Sequence, residues 1–192
     1  MPNTGGSGQN QLIRQLYAQI DKEGFIIDER FNSGGDLPDR FLTLIDRPTI
    51  LYLNFRNGQN DSQPLKANQG PKVMLINGWS GSGGDALPYA FKNMEIGPVI
   101  GMKTAGALIG PALGFALIDG GYHTVPSGRI FGTDGKWFAE GHGVDPDILV
   151  VDDPSQLAKG IDPQLERGIQ EVLNMLNENP PIKVGHPPYE KR

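Results

Sequence analysis

Apolar residues recur at one-three-four spacing across residues 9–20, where Leu12, Ile13, Leu16, Tyr17 and Ile20 share one face, and this predicts a helix with one buried side. Residues 24–28 follow as a short apolar run bounded by turn formers, the pattern of a buried strand. The segment Asn32-Ser33-Gly34-Gly35-Asp36 reads as a turn. Asp36 is a plausible N-cap for a helix reaching Ile45, since Pro38 is tolerated in a first turn. Residues 49–55 are strand-like, residues 56–70 form a polar surface loop, and residues 72–76 supply another buried strand. Strand and helix alternate, so the expected fold class is α/β with a parallel sheet.

The glycine-rich turn at residues 77–85 runs into an amphipathic helix carrying Ala86, Leu87, Tyr89, Ala90 and Phe91, and Val99-Ile100 continue as a strand. Beyond residue 104 the pattern changes. A glycine-rich loop leads to short strands at 115–118, 122–125 and 129–131, separated by Gly, Pro and Asp, which suggests hairpins. Asp162-Pro163 opens a terminal helix with Leu165, Ile169, Val172, Leu173 and Leu176 on one face. Residues 179–192 hold four prolines and no periodicity, so they are expected to form a tail behind one unit at 1–178.

At 192 residues the chain encloses one core. Lys and Arg number 17 against 22 Asp and Glu, giving 17 − 22 = −5, with no basic stretch to follow a phosphate backbone, so nucleic acid is not an expected partner. With no cysteine, thiolate metal sites and cysteine nucleophiles drop out. No apolar run approaches the roughly 20 residues of a membrane helix, and the first residues lack the basic and apolar pattern of a secretory signal.

The strongest chemical signal is strand, then Gly78-Trp79-Ser80-Gly81-Ser82-Gly83-Gly84-Asp85, then helix. A serine in such a turn sits at the positive end of a helix dipole, with the next backbone N–H aimed where an oxyanion would form, as acyl transfer requires. The plain alternative is a glycine-rich turn closing a βαβ unit. Phosphate binding is disfavoured, because Gly84 is followed by Asp85-Ala86 where a phosphate-cradling loop carries Lys and then Ser or Thr. The turn at residues 32–36 leaves a second strand, and two such turns on neighbouring parallel strands would bring two sets of N–H groups to one crevice. Of the histidines, His186 lies in the tail, His123 in a hairpin strand, and His142 among glycines, where a turn role outweighs a catalytic one. The pairs Asp145/Asp147 and Asp152/Asp153 lack ligand spacing, and no metal is expected.

The segment Ile27-Asp28-Glu29-Arg30-Phe31-Asn32-Ser33-Gly34-Gly35 resembles the Asp-x-Arg-x-Asn-x-Gly-Gly signature of the C-terminal processing, or tail-specific, serine peptidases. Ser80 to Asp85 is similar to their Ser-Ala-Ser-Ala-Ser-Glu nucleophile turn, and Gly141 to Asp147 to their Gly-x-Gly-x-x-Pro-Asp run. Gly101 to Gly106 matches the run preceding their lysine base, but the base position holds Ala107. The pattern is most similar to the tricorn branch, in which a histidine upstream of a PDZ-like module serves Ser.

This resemblance implies a crotonase-like fold of ββα units, with Ser82 as nucleophile, the N–H groups of Gly35 and Gly83 as oxyanion hole, and Glu140 as the carboxylate of the network. It implies a peptide-hydrolysing serine endopeptidase core without cofactor, whose base histidine lies in a segment upstream of this chain. Peptide substrates, upstream PDZ-like and β-propeller domains of the same protein, a homo-oligomer and a cytoplasmic location follow from the same likeness, with a periplasmic or secreted location as the alternative. Two rivals stand beside it: a catalytically silent peptide-binding or assembly module, and a crotonase-like acyl-thioester enzyme. Rapid turnover by this chain alone would point to Lys103, His123 or His142 as the base.

Overall fold

A computed structural model describes the whole chain except Ala112, Lys183, Arg192 and the side chain of Leu113. In chain order the elements are α1 (Gly6–Ala18), β1 (Phe25–Asp28), α2 (Asp39–Ile45), β2 (Leu51–Leu53), β3 (Asp61–Gln63), β4 (Lys72–Ile76), α3 (Gly83–Asn93), β5 (Val99–Gly101), β6 (Leu113–Ala116), β7 (Tyr122–Val125), β8 (Ile148–Leu149), α4 (Pro154–Leu157) and α5 (Pro163–Glu178). Strands β1, β4, β5 and β8 form one sheet in the order β1-β4-β5-β8, and every pairing is parallel.

The period of two along a strand divides the core between the faces of this sheet. Ile27, Met74, Ile76 and Val99 pack with Leu12 and Leu16 of α1, Phe41 and Ile45 of α2, and Leu87 and Phe91 of α3. Ile26, Val73, Leu75 and Ile100 point the other way and pack against Val172, Met175 and Leu176 of α5. All five residues of β4 are buried, as a central parallel strand covered on both faces requires. A smaller cluster of Ala86, Leu108, Ala139 and Val144, joined by Tyr89 and Phe138, fastens the loops after β5 to α3.

The expected α/β class with a parallel sheet holds, and several local expectations are corrected. Asp36 does not cap α2: the cap position is Pro38, because Gly34 and Gly35 at positive φ carry the chain across residues 4 and 5 before helix can begin. The polar loop at 56–70 contains β3, which pairs antiparallel with β2. Residues 129–131 form no strand. Phe131 makes one isolated bridge to Trp137, while Arg129 stacks over the Trp137 ring and Phe131 meets its edge, so side-chain contacts replace a ladder there. The strand placed at 115–118 is Leu113–Ala116, paired with β7 in a single hairpin. Helix α3 starts at Gly83 and α1 at Gly6, both earlier than their apolar patterns suggest.

Candidate active site

Strands β1 and β4 are adjacent and parallel, so the two glycine-rich turns leave the same end of the sheet side by side. Backbone groups lock them together: Gly81 N–H donates to Asn32 O at 3.0 Å. Buried Asn77 accepts from Phe31 N–H at 3.1 Å and Trp79 N–H at 3.2 Å through one Oδ1, pinning both turns to one side chain. The first turn is anchored below by Arg30, whose guanidinium grips Asp28 (2.9 and 2.7 Å) and Asp162 (2.9 and 2.8 Å), the N-cap of α5. The planar fork suits two carboxylates at once. Its hydrogen bonds hold the Asp162 carboxyl below its usual range. Arg30 and Asp28 of the signature therefore tie β1 to α5.

Ser82 stands where β4 turns into α3, with φ 57° and ψ −115°. Gly84 N–H closes the turn on Gly81 O at 2.8 Å, which puts Ser82 at the first central position of a type II′ geometry that glycine normally fills. Such a conformation is held at a cost of about 1 to 3 kcal/mol. The clamp is Asp85, fully buried: its Oδ2 accepts from Ser82 N–H at 2.8 Å and Ala107 N–H at 3.0 Å, and its Oδ1 accepts from Thr104 Oγ1 at 2.5 Å and Gly106 N–H at 2.9 Å. Val144 N–H in turn donates to Thr104 Oγ1 at 2.7 Å. Four donors converge on one carboxylate, so the serine turn and the loop after β5 are fixed as one piece.

Gly34 of the first turn lies against this serine. A methyl group on Gly34, at φ 92°, would fall 2.7 Å from Ser82 Cβ and 3.1 Å from its Oγ. Thr4, fully buried and donating from its N–H to Gly34 O at 2.9 Å, touches both remaining positions. A Cβ on Gly35 would sit 2.9 Å from the Thr4 carbonyl carbon, and one on Gly83 would overlap Thr4 Oγ1. One residue's breadth thus separates Gly35 from Gly83. The N–H groups of both have no hydrogen-bond partner among the described residues. Ser82, Gly35 and Gly83 are brought together.

Glu140 is placed differently. It is exposed, and its Oε2 accepts from Leu108 N–H at 2.8 Å and Ile109 N–H at 2.6 Å. Among the described residues no hydrogen bond joins it to Ser82; it is linked to that residue through the loop whose Ala107 N–H binds Asp85. It lines a cleft of about 650 Å³ with Tyr89, Arg129, Trp137 and His142. Lys103 Nζ pairs with Asp145 at 3.2 Å and meets His142 Nε2 at 3.3 Å, so these two groups serve each other. His123 is exposed on β7, and His186 packs on Tyr189 in the tail. Among the described residues no His or Lys side chain hydrogen-bonds Ser82, and no group of three His, Asp or Glu could hold a metal ion. Asp85, Thr104 and Thr4 were not singled out from sequence. Asp85 had a signal, since a first-turn acid three residues after Ser82 is the spacing of a capping box; the other two had none.

The family is decided by comparison with known proteins. Residues 1–150 match Peptidase family S41. The chain belongs to that family of serine-type peptidases. It is 33% identical over 173 residues to the tricorn protease of Thermoplasma volcanium and 35% identical over 180 residues to tricorn protease homolog 1 of Streptomyces coelicolor. Those matches cover 90% and 94% of this chain but 17% of each relative, so the chain spans about a sixth of their length. The crystal structure of the tricorn protease superposes with a TM-score of 0.85 at 30% identity, over 92% of this chain and 17% of that one. The photosystem II D1 C-terminal processing protease, at 22% identity and a TM-score of 0.57, shares the fold. The segments at residues 28–35 and 80–85, both inside the matched span, are the two turns described above. No helix among the described residues is long and apolar enough to cross a membrane.

Proposed function

We propose that this chain is the serine endopeptidase core of a longer tricorn-like protein and that Ser82 is its nucleophile. The observation that carries the reading is Ser82 in a strained turn at the mouth of α3, beside Gly83 and Gly35, which both pack on Thr4 and whose amides have no partner among the described residues. Ser82 Oγ attacks a peptide carbonyl carbon as its proton passes to an imidazole, forming a tetrahedral adduct that becomes an ester on Ser82 once the amine leaves. The two amides hold the oxyanion, each donor contributing about 3 to 4 kcal/mol of barrier lowering. The C–N bond then breaks and the imidazole protonates the leaving amine; water hydrolyses the ester by the reverse proton path. The base histidine comes from an upstream segment, as the tricorn resemblance implies. Glu140, exposed at the cleft rim and fixed by two amides, orients that imidazole's polar network.

In this reading residues 1–178 are a crotonase-like catalytic unit followed by a Pro-rich tail at 179–192. The full protein acts in the cytoplasm as a homo-oligomer on peptides, with PDZ-like and β-propeller domains upstream. The 192-residue chain by itself turns over peptides negligibly, since without a base the hydroxyl stays protonated and weak. The test is a fluorophosphonate probe on the full-length protein. An adduct mapped to Ser82, absent in Ser82→Ala, is expected. A full-length protein that never forms it would overturn the reading in favour of a silent binding module or an acyl-thioester enzyme.

A further inference from the structure

A second carboxyl lies beneath the first turn of α3, and the reaction just described does not use it. Glu29 is fully buried, and neither of its carboxyl oxygens has a hydrogen-bond partner among the described residues. Its Oε1 lies 3.0 Å from where a Cβ on Gly84 would stand, so the carboxyl is pressed against the helix turn that carries Gly83. The backbone of the same residue accepts from Ser80 Oγ at 3.0 Å, two residues before Ser82. Two further buried polar atoms around Gly83 and Gly84 are equally unpartnered: Thr4 Oγ1 and Asn32 Nδ2. A carboxylate with no donors, out of water, is strongly disfavoured, whereas the neutral acid gives up only the hydrogen bonds of a hydroxyl and a carbonyl.

We propose that Glu29 is a positioning residue for the nucleophile turn, supporting the Ser80–Gly84 segment from below as the neutral acid, and that removal of its proton displaces Ser82 and Gly83. Burial also holds this carboxyl well above the ordinary glutamate range. The groups that face it are the Ser80 and Asn32 side chains, which turn toward it without closing a hydrogen bond, the Met1 amine, and Asp85 of α3. An anion at Glu29 would stand beside the Asp85 anion, so ionisation drives the two apart and pulls on the turn that Asp85 holds through Ser82 N–H.

The consequence for catalysis rests on the peptidase reading; the conformational claim does not, and it is tested on this chain without turnover. NMR of protein carrying ¹³C-labelled glutamate carboxyls follows Glu29 through a pH titration, with assignment by loss of its signal in Glu29→Gln, while ¹⁵N spectra follow Ser82, Gly83 and Gly84. The expected result is a Glu29 signal at the protonated position at neutral pH, moving to the ionised position in the alkaline range. The three amides should move with the same midpoint in the wild type and lose that transition in Glu29→Gln. A Glu29 signal already ionised at neutral pH, or amides that stay still while Glu29 titrates, would overturn the proposal. If Glu29→Gln fails to fold, assignment by through-bond connection in the wild type decides the same two questions. Failure of the fluorophosphonate test would leave this outcome untouched.

Discussion

Two buried carboxyls flank one helix turn, and they are held in opposite ways. Asp85 collects four donors at 2.5 to 3.0 Å, three of them from a loop some twenty residues away, and its charge is spread over a rigid cage. Glu29, equally buried against the same turn, collects none among the described residues. Both groups bear on Ser82, one from the amide that precedes its side chain, the other through Ser80 and Gly84. Burial alone does not fix what a carboxyl does; the number of donors that the fold brings to it does. At Asp85 the charge orders the site, and at Glu29 the charge is what the site excludes.

Removing the caged carboxylate is the largest perturbation available. Asp85→Ala leaves buried N–H groups and the Thr104 hydroxyl unsatisfied at once, and a loss of about 3 to 5 kcal/mol is expected, read as a lower denaturant midpoint. A loss below about 1 kcal/mol would show that the cage is decorative. At Glu29 the sign is reversed. Its folded-state value lies above the unfolded one, so the carboxyl favours folding fully only below about pH 4.3, and that support drains away as pH rises toward the folded value. Glu29→Gln should therefore gain on the wild type by up to about 1.4 kcal/mol per pH unit through this window, measured by unfolding at acidic and neutral pH. A stability difference that stays flat with pH would put the two carboxyls in the same class after all.

Smaller changes sharpen the contrast. Thr104→Val removes one donor from Asp85 and the acceptor of Val144 N–H, for an expected loss of about 1 to 2 kcal/mol, while at Glu29 no comparable single donor exists to delete. Ser82→Gly releases the positive-φ strain that the Asp85 cage imposes and should raise stability by about 1 kcal/mol while abolishing probe labelling in the full-length protein. A destabilised Ser82→Gly would mean that the serine side chain supports the turn instead of being forced by it.

Much of the frame was legible before the structure. Periodicity located α1, β1, β4 and α5, and the glycine-rich turns at 32–36 and 77–85 were recognisable as sites where two strands end. The local errors share a cause. β8 has two residues and α4 has four, too few to carry a period, and β8 exists because β5 offers it a free edge. Asp36 had the right chemistry for a cap, but the path of Gly34 and Gly35 over Thr4 delayed the helix to Asp39. Glu140 was marked by resemblance, and its placement on the amides of Leu108 and Ile109 could not be read from its neighbours.

By itself the sequence determined the alternation of strand and helix, the glycines that permit backbones to touch, and the serine at a helix mouth, because these follow from side-chain size and period along a few residues. Only the tertiary structure decided which glycines touch which partners, that Thr4 stands between Gly35 and Gly83, and that one of two buried acids is caged and the other bare. The reason is that a hydrogen-bond donor arriving from a loop twenty or forty residues distant leaves no trace in local pattern, yet such donors set whether a buried carboxyl carries its charge.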